Sequence, residues 1–227
     1  MPSVLSGVRV LDLTGYVAGP YCSKILAEYG AEVVKVEPPG QGDTARSIGP
    51  FPRGEPHPER SALFLHLNTN KLSITLDITH EAGAAVLRTL AGRSDVIVDD
   101  GALANAAGEG WDYDSLARDH PGLVLTTISP FGDGGPYRDY RAPDIVLGAM
   151  GGWMYPMGDP DRAPLQPGGP YHQYVVGLWA AAGTLSAFLG ALGTGTGEHV
   201  RISALEAVVA TTVEDTVWHA YTGDERG

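Results

Sequence analysis

The chain has 227 residues, of which 43% are hydrophobic, enough for one large domain with a sizeable core. Its formal net charge of −12 argues against a nucleic-acid surface and against binding to an anionic membrane, and any anionic ligand needs a local positive pocket. The single cysteine, Cys22, excludes an intrachain disulfide, and no basic N-terminal segment leads into an apolar run, so the expectation is a cytoplasmic protein that is neither secreted nor membrane-spanning.

Val8, Val10 and Leu11 to Leu13 form a short apolar run, the pattern of a strand buried on both faces. Gly15 and Gly19 bracket a loop, and Pro20 opens a helix. The helix carries Tyr21, Cys22, Ile25, Leu26 and Tyr29 on one stripe, which makes Cys22 a buried, inert thiol. Gly30 ends that helix, and Val33, Val34 and Val36 make the next strand. Two strands joined by a helix are expected to be parallel, with a right-handed crossover. Ligands bind beyond the carboxyl ends of such strands, here the Gly15–Pro20 loop and Glu37–Asp43.

Gln41 to Arg60 is a long polar loop overhanging that edge. Leu63–Leu67 and Ser73–Ile78 read as short strands around an Asn68–Lys71 turn. His80–Ala91 is an amphipathic helix with Ala84, Val86, Leu87 and Leu90 inward. Val96–Val98 is a buried strand ending in Asp99 and Asp100, and Gly101–Gly110 is small and flexible. Tyr113–Ala117 is a short helix with Asp112 as its cap, and Leu123–Ile128 is a strand running into the glycine-rich loop Ser129–Pro136. Ala142–Trp153 reads as a helix, and Met157–Tyr171 as a Pro/Gly loop containing Gly158-Asp159-Pro160. Tyr174–Leu192 reads as a core helix rather than a membrane span, because its apolar run carries glycines, a Ser and a Thr. His199–Ile202 is a strand, and Ser203 caps a final helix to about Tyr221 with Glu206 completing a capping box. The alternation predicts an α/β fold, an open, mostly parallel Rossmann-like sheet with helices on both faces.

The first turn does not match a dinucleotide fingerprint. It reads Gly15-x-x-x-Gly19 and lacks G-x-G-x-x-G, although Glu37 stands where a ribose-binding acid would sit. A dinucleotide-dependent oxidoreductase is the weaker reading. Arg46 and Lys71 are the main candidate cations for a phosphate at the carboxyl edge, ahead of Arg138 and Arg141.

Three separated segments, LSGVRVLDLTGYVAGPYCSKILAEYGAEVVKVEPPGQGDTAR, LNTNKLSITLD and TGTGEHVRIS, resemble the class III coenzyme A transferases. This is the family of formyl-CoA transferase, the carnitine CoA-transferases and the α-methylacyl-CoA racemases. The resemblance implies transfer of coenzyme A between an acyl-CoA and a small carboxylate, with acyl-CoA as substrate and no metal. It places Tyr16, Val17 and Ala18 beside the pantetheine or nucleotide. It also makes residues 1–202 the large domain and 203–227 the final helix and the start of a linker, and it implies a second, smaller domain and interlocked dimers. The expected assembly is therefore a homodimer or a hetero-oligomer with a related subunit, in which this chain is a fragment or a half-length subunit.

Four places depart from the family pattern. The family's nucleophile is an aspartate that attacks the thioester and forms a mixed anhydride. It lies four residues before a helix glycine, and alignment on Gly177 puts Gln173 there, preceded by His172. A glutamine amide cannot form the anhydride. The chain is then a non-catalytic CoA-binding half, or another carboxylate serves, with Asp144, Asp159 and Asp161 as candidates. Asp159 and Asp161 also suit a turn-stabilising role, and Asp144 a helix N-terminus. The racemase histidine position is Pro143, which disfavours racemisation. A family arginine after Glu37 is Pro38 here, and where the family often has an asparagine after the third parallel strand this chain reads Asp99-Asp100, carboxylates that repel a polyanion.

Overall fold

The computed structural model describes residues 3–159 and 161–224. Six parallel strands form one sheet in the order β3-β2-β1-β4-β5-β6. They are β1 (Arg9–Leu13), β2 (Glu32–Glu37), β3 (Lys71–Thr75), β4 (Val96–Asp99), β5 (Val124–Ser129) and β6 (His199–Ser203). The helices are α1 (Ala18–Glu28), α2 (Ala62–Leu67), α3 (Glu81–Ala91), α4 (Tyr113–Asp119), α5 (Asp144–Met150), α6 (Tyr171–Thr194), α7 (Ala204–Val209) and α8 (Val213–Thr222).

Strand periodicity divides the core into two layers, because successive side chains leave a strand on opposite faces. Val10, Val96, Val98, Val124 and Ile128 point to the face covered by α1, α6 and α7, where they meet Cys22, Leu26, Val176, Ala180 and Val208. Leu11, Leu13, Ile97 and Leu125 point the other way, toward Leu87 of α3, Leu116 of α4 and Trp111. At Gly177 a β-carbon would stand 2.7 Å from the carbonyl oxygen of Ala18, so α6 crosses α1 at backbone distance only because that position has no side chain. Helix α6 has the length and mean hydropathy, 1.8, of a membrane span, yet it lies against α1 and the sheet.

Several expected boundaries move, each for a local reason. Residues 63–67 are helix α2 and not a strand, because the Ser61 hydroxyl accepts the Phe64 N–H at 3.1 Å and caps a helical turn. Helix α1 starts at Ala18, which leaves Pro20 in the first turn, where its missing N–H costs no hydrogen bond. Helix α5 is shorter than expected, and α6 extends a turn further toward its N-terminus. The final helix is broken in two: the Thr211 and Thr212 hydroxyls bond back to the carbonyls of Val208 and Val209, and Thr212 also reaches Gly151. Val86 of α3 faces solvent, whereas Ala84 and Leu87 are buried. Ala204, Ala207 and Val208 carry the core past residue 202 into α7. Pro160 and the last three residues of the expected linker lie outside the described residues.

Candidate functional site

The chain leaves β1 toward β2 on one side and later returns to place β4 on the other, so the loops after β1 and β4 diverge at the carboxyl edge. That divergence opens a crevice. A cavity of about 600 Å³ fills it, walled by Leu13, Val36, Pro38, Leu76, Ile78 and Ala102 together with the carboxylate residues Glu37, Asp43, Asp77 and Asp100. A second cavity of about 170 Å³ adjoins it, between Ala18, Ile128, Pro130, Leu147 and Gln173. Gly15, Tyr16 and Asp100 line both.

The loop between the cavities is held by charges buried under it. Tyr16 adopts φ of 63°, a left-handed conformation uncommon outside glycine. Its N–H donates to Asp43 Oδ1 at 2.9 Å, and the Gly15 N–H donates to Asp100 Oδ2 at 2.8 Å. Lys35 Nζ donates to the Thr14 carbonyl at 2.7 Å and pairs with Asp43 Oδ2 at 2.9 Å. Asp12 Oδ1 takes the Thr14 N–H and hydroxyl, while Oδ2 takes Ser23 and Lys71. Burial alone would raise the Asp12 carboxyl, but Lys35 and Lys71, with the Ser23 and Thr14 hydrogen bonds, together outweigh it and hold Asp12 far below the usual carboxylate range. Burial pulls Lys35 down, and Asp12 and Asp43 more than offset this, so its ammonium is held above the usual range. For Lys71 burial prevails over Asp12 and the pKa falls.

Neither expected phosphate cation is free. The Lys71 ammonium is fully engaged by Asp12 at 3.0 Å, the Pro20 carbonyl at 2.8 Å and Asn68 Oδ1 at 2.8 Å, inside the protein and not at the edge. Arg46 grips Glu37 with two parallel bonds, at 2.6 and 2.8 Å, reaches Glu59 at 2.9 Å, and lies 3.6 Å over the Phe64 ring. Burial would raise Glu37, but Arg46, Ser73 and the Asp43 N–H bring it down to about 2. With both oxygens spent, Glu37 has no lone partner to offer a ribose. Arg138 and Arg141 are exposed and line neither cavity. The larger cavity has no lysine or arginine among its described lining residues.

The remaining candidates sort by geometry. Tyr16 and Ala18 face cavities, whereas Val17 is completely buried against Ala45, Phe64 and Leu67. Gln173 lies in the first turn of α6 and lines the small cavity. Asp144, the first residue of α5, is buried with both oxygens occupied: Oδ1 accepts the Gln173 N–H at 3.2 Å, and Oδ2 faces His172 Nδ1 at 2.8 Å and Gln166 Nε2 at 3.4 Å. Gly148 makes room for the fully buried His172 ring, which a β-carbon there would meet at 2.5 Å. Asp144 therefore acts on the helix and not as an open carboxylate. Asp159 and Asp161 are exposed in a turn where Asp159 accepts the Asp161 N–H at 3.1 Å, outside both cavities. Cys22 is buried and its thiol is pushed up to about 12, which leaves it unreactive.

Sequence reasoning did not single out Lys35, Asp12 or Asp43. A lysine and an aspartate inside apolar strand runs were the available signal, since such charges are buried only when paired. It read Asp100 only as a carboxylate that repels a polyanion, and the structure places it between the two cavities.

The family model for CoA-transferase family III matches residues 5–227. A succinate–glutarate CoA-transferase of Agrobacterium fabrum is 32% identical over 96% of this chain and 55% of its own length. A succinyl-CoA–L-malate CoA-transferase beta subunit of Chloroflexus aurantiacus is 34% identical over 90% of this chain and 50% of its own. The crystal structure of a CAIB/BAIF family protein from Brucella suis superposes with a TM-score of 0.89 at 31% identity, covering 99% of this chain and 59% of that one. The chain spans about half the length of the curated relatives it matches.

Proposed function

This chain belongs to CoA-transferase family III, and from that premise we propose that it binds acyl-CoA and takes part in moving coenzyme A onto a small carboxylate. The observation that carries the reading is the pair of adjoining cavities at the carboxyl edge, one of about 600 Å³ and one of about 170 Å³, joined at Gly15, Tyr16 and Asp100. The larger accommodates the uncharged pantetheine arm along Leu13, Val36, Leu76 and Ile78. The smaller receives the acyl group beside Gln173. Among its described lining residues the larger cavity has four carboxylates and no lysine or arginine, so the nucleotide phosphates belong outside it. Groups beyond these walls, from further chain or a second subunit, hold them.

A related subunit is the proposed partner. The supporting observations are the resemblance to a named beta subunit and the amide at position 173. The same amide favours a second reading, a non-catalytic subunit that shapes the site for an active partner. The cytoplasm is the proposed location, consistent with one free, buried thiol.

Isothermal titration tests the reading. Acetyl-CoA and S-acetyl-pantetheine are each titrated at low and high salt, with NADH as the competing ligand. The expected result is binding of both thioesters within about tenfold of each other, weak salt dependence, and no NADH binding. Binding of NADH without acetyl-CoA would replace this reading with the oxidoreductase.

A further inference from the structure

The small cavity is lined by one amide, Gln173, and one carboxylate, Asp100, among the described residues. Asp144, the other acid near Gln173, has both oxygens committed to holding α6. Asp100 differs. Its Oδ2 accepts the Gly15 N–H at 2.8 Å, and its other oxygen accepts no hydrogen bond among the described residues. Asp100 also lines the larger cavity, so a thioester arm entering from there passes it before reaching Gln173.

We propose that Asp100 is the carboxylate nucleophile of this site, acting on the acyl-CoA thioester in the cavity it shares with Gln173. This rests on the acyl-CoA-binding reading above. The free Asp100 oxygen attacks the thioester carbonyl carbon, the C–S bond breaks, and the thiolate leaves with the electron pair, giving a mixed anhydride between Asp100 and the acyl group. The thiolate then attacks the Asp100 carbonyl of that anhydride, releases the acyl group as a free carboxylate, and leaves coenzyme A as a thioester on Asp100. An acceptor carboxylate attacks that thioester and expels the thiolate, which then cleaves the new anhydride at the acceptor's carbonyl. The products are the new acyl-CoA and free Asp100. The Gln173 amide stands as a neutral hydrogen-bond donor in the same cavity, suited to a carbonyl oxygen that gains negative charge. The Gly15 N–H bond fixes the direction of the Asp100 carboxyl.

The electrostatics agree with this role. Asp100 is an exposed residue overall, yet desolvation at its carboxyl, with Asp99 and Asp12 nearby, pushes its pKa up to about 7 against the pull of the Gly15 N–H and Lys35. A carboxylate of that basicity is a stronger nucleophile than an ordinary aspartate and is still substantially ionised at neutral pH.

The test is acyl trapping. The purified protein is incubated with acetyl-CoA, quenched with hydroxylamine, and mapped by peptide mass. The expected result is a hydroxamate at position 100, lost in Asp100→Asn. Asparagine keeps an oxygen for the Gly15 N–H, and an unchanged urea midpoint verifies that the fold is retained. The double variant Asp100→Asn, Gln173→Asp is expected to move the label to position 173. A label on another acid, a label that survives Asp100→Asn, or no label in protein that binds acetyl-CoA overturns the assignment of Asp100. Failure to bind acetyl-CoA at all overturns the acyl-CoA reading beneath it.

Discussion

The Asp144 carboxylate accepts the backbone N–H of Gln173 at 3.2 Å, so the first residue of α5 caps the first turn of α6 from outside. Its second oxygen holds His172 Nδ1 at 2.8 Å. One buried carboxylate thus fixes two consecutive residues of α6 and, through them, the wall of the small cavity.

Removing that carboxylate leaves His172 buried without its partner and an α6 N–H uncapped. Asp144→Ala is expected to cost about 2–3 kcal/mol, the penalty for an unmade buried hydrogen bond plus a lost cap. Asp144→Asn, which keeps an acceptor, is expected to cost about half that. Urea denaturation of the two variants distinguishes this capping role from that of an open carboxylate, for which both substitutions would be nearly neutral.

Lys71→Met separates the buried ion pair from the expected phosphate contact. Asp12 then keeps Lys35, at 3.9 Å, as its one cation, and the Pro20 carbonyl loses the ammonium and keeps the Ser23 hydroxyl at 3.2 Å. Breaking a buried pair in this way costs about 3–5 kcal/mol. The salt dependence of acetyl-CoA binding is expected to stay unchanged in protein that remains folded, whereas loss of a phosphate-binding lysine would flatten it.

Glu37 and Arg46 predict an acid limb of stability. Against burial, Arg46 and Ser73 bring the folded Glu37 carboxyl down to about 2, from an ordinary 4.5. Between those values the unfolded state binds the extra proton. The pair's contribution is therefore complete above pH 4.5 and disappears as pH falls toward 2. Thermal melts across that window should show a steeper fall for the unmodified protein than for Arg46→Ala, and parallel curves would contradict the coupling.

Gly177→Ala tests the close crossing of α1 and α6. A β-carbon there meets the Ala18 carbonyl oxygen at 2.7 Å and the Tyr21 side chain at 3.1 Å. Backbone cannot yield as a flexible side chain does, so the helices must separate, at about 1–3 kcal/mol. Because Ala18 also lines the small cavity, acetyl-CoA affinity is expected to fall together with the urea midpoint.

The sequence by itself determined the parallel α/β architecture and the family resemblance. Those rest on local periodicity: Val10, Val33, Val96 and Val124 lie in short apolar runs, which the folded sheet then sets side by side. Sequence alignment also located Gln173, since it counts from Gly177 on the same helix. The partners of charges were decided only by the tertiary structure. Lys71 and Arg46 each looked available at a loop, but their opposite charges, Asp12 and Glu37, come from other strands and meet them only after the sheet forms. Helix α2 and the break before α8 depended on single hydroxyls, Ser61 and Thr212, that tip segments with little intrinsic preference. Asp100 and Gln173 are far apart in the chain and share no pattern; the return of β4 beside β1 brings Asp100 to the small cavity, and the packing of α6 on α1 brings Gln173.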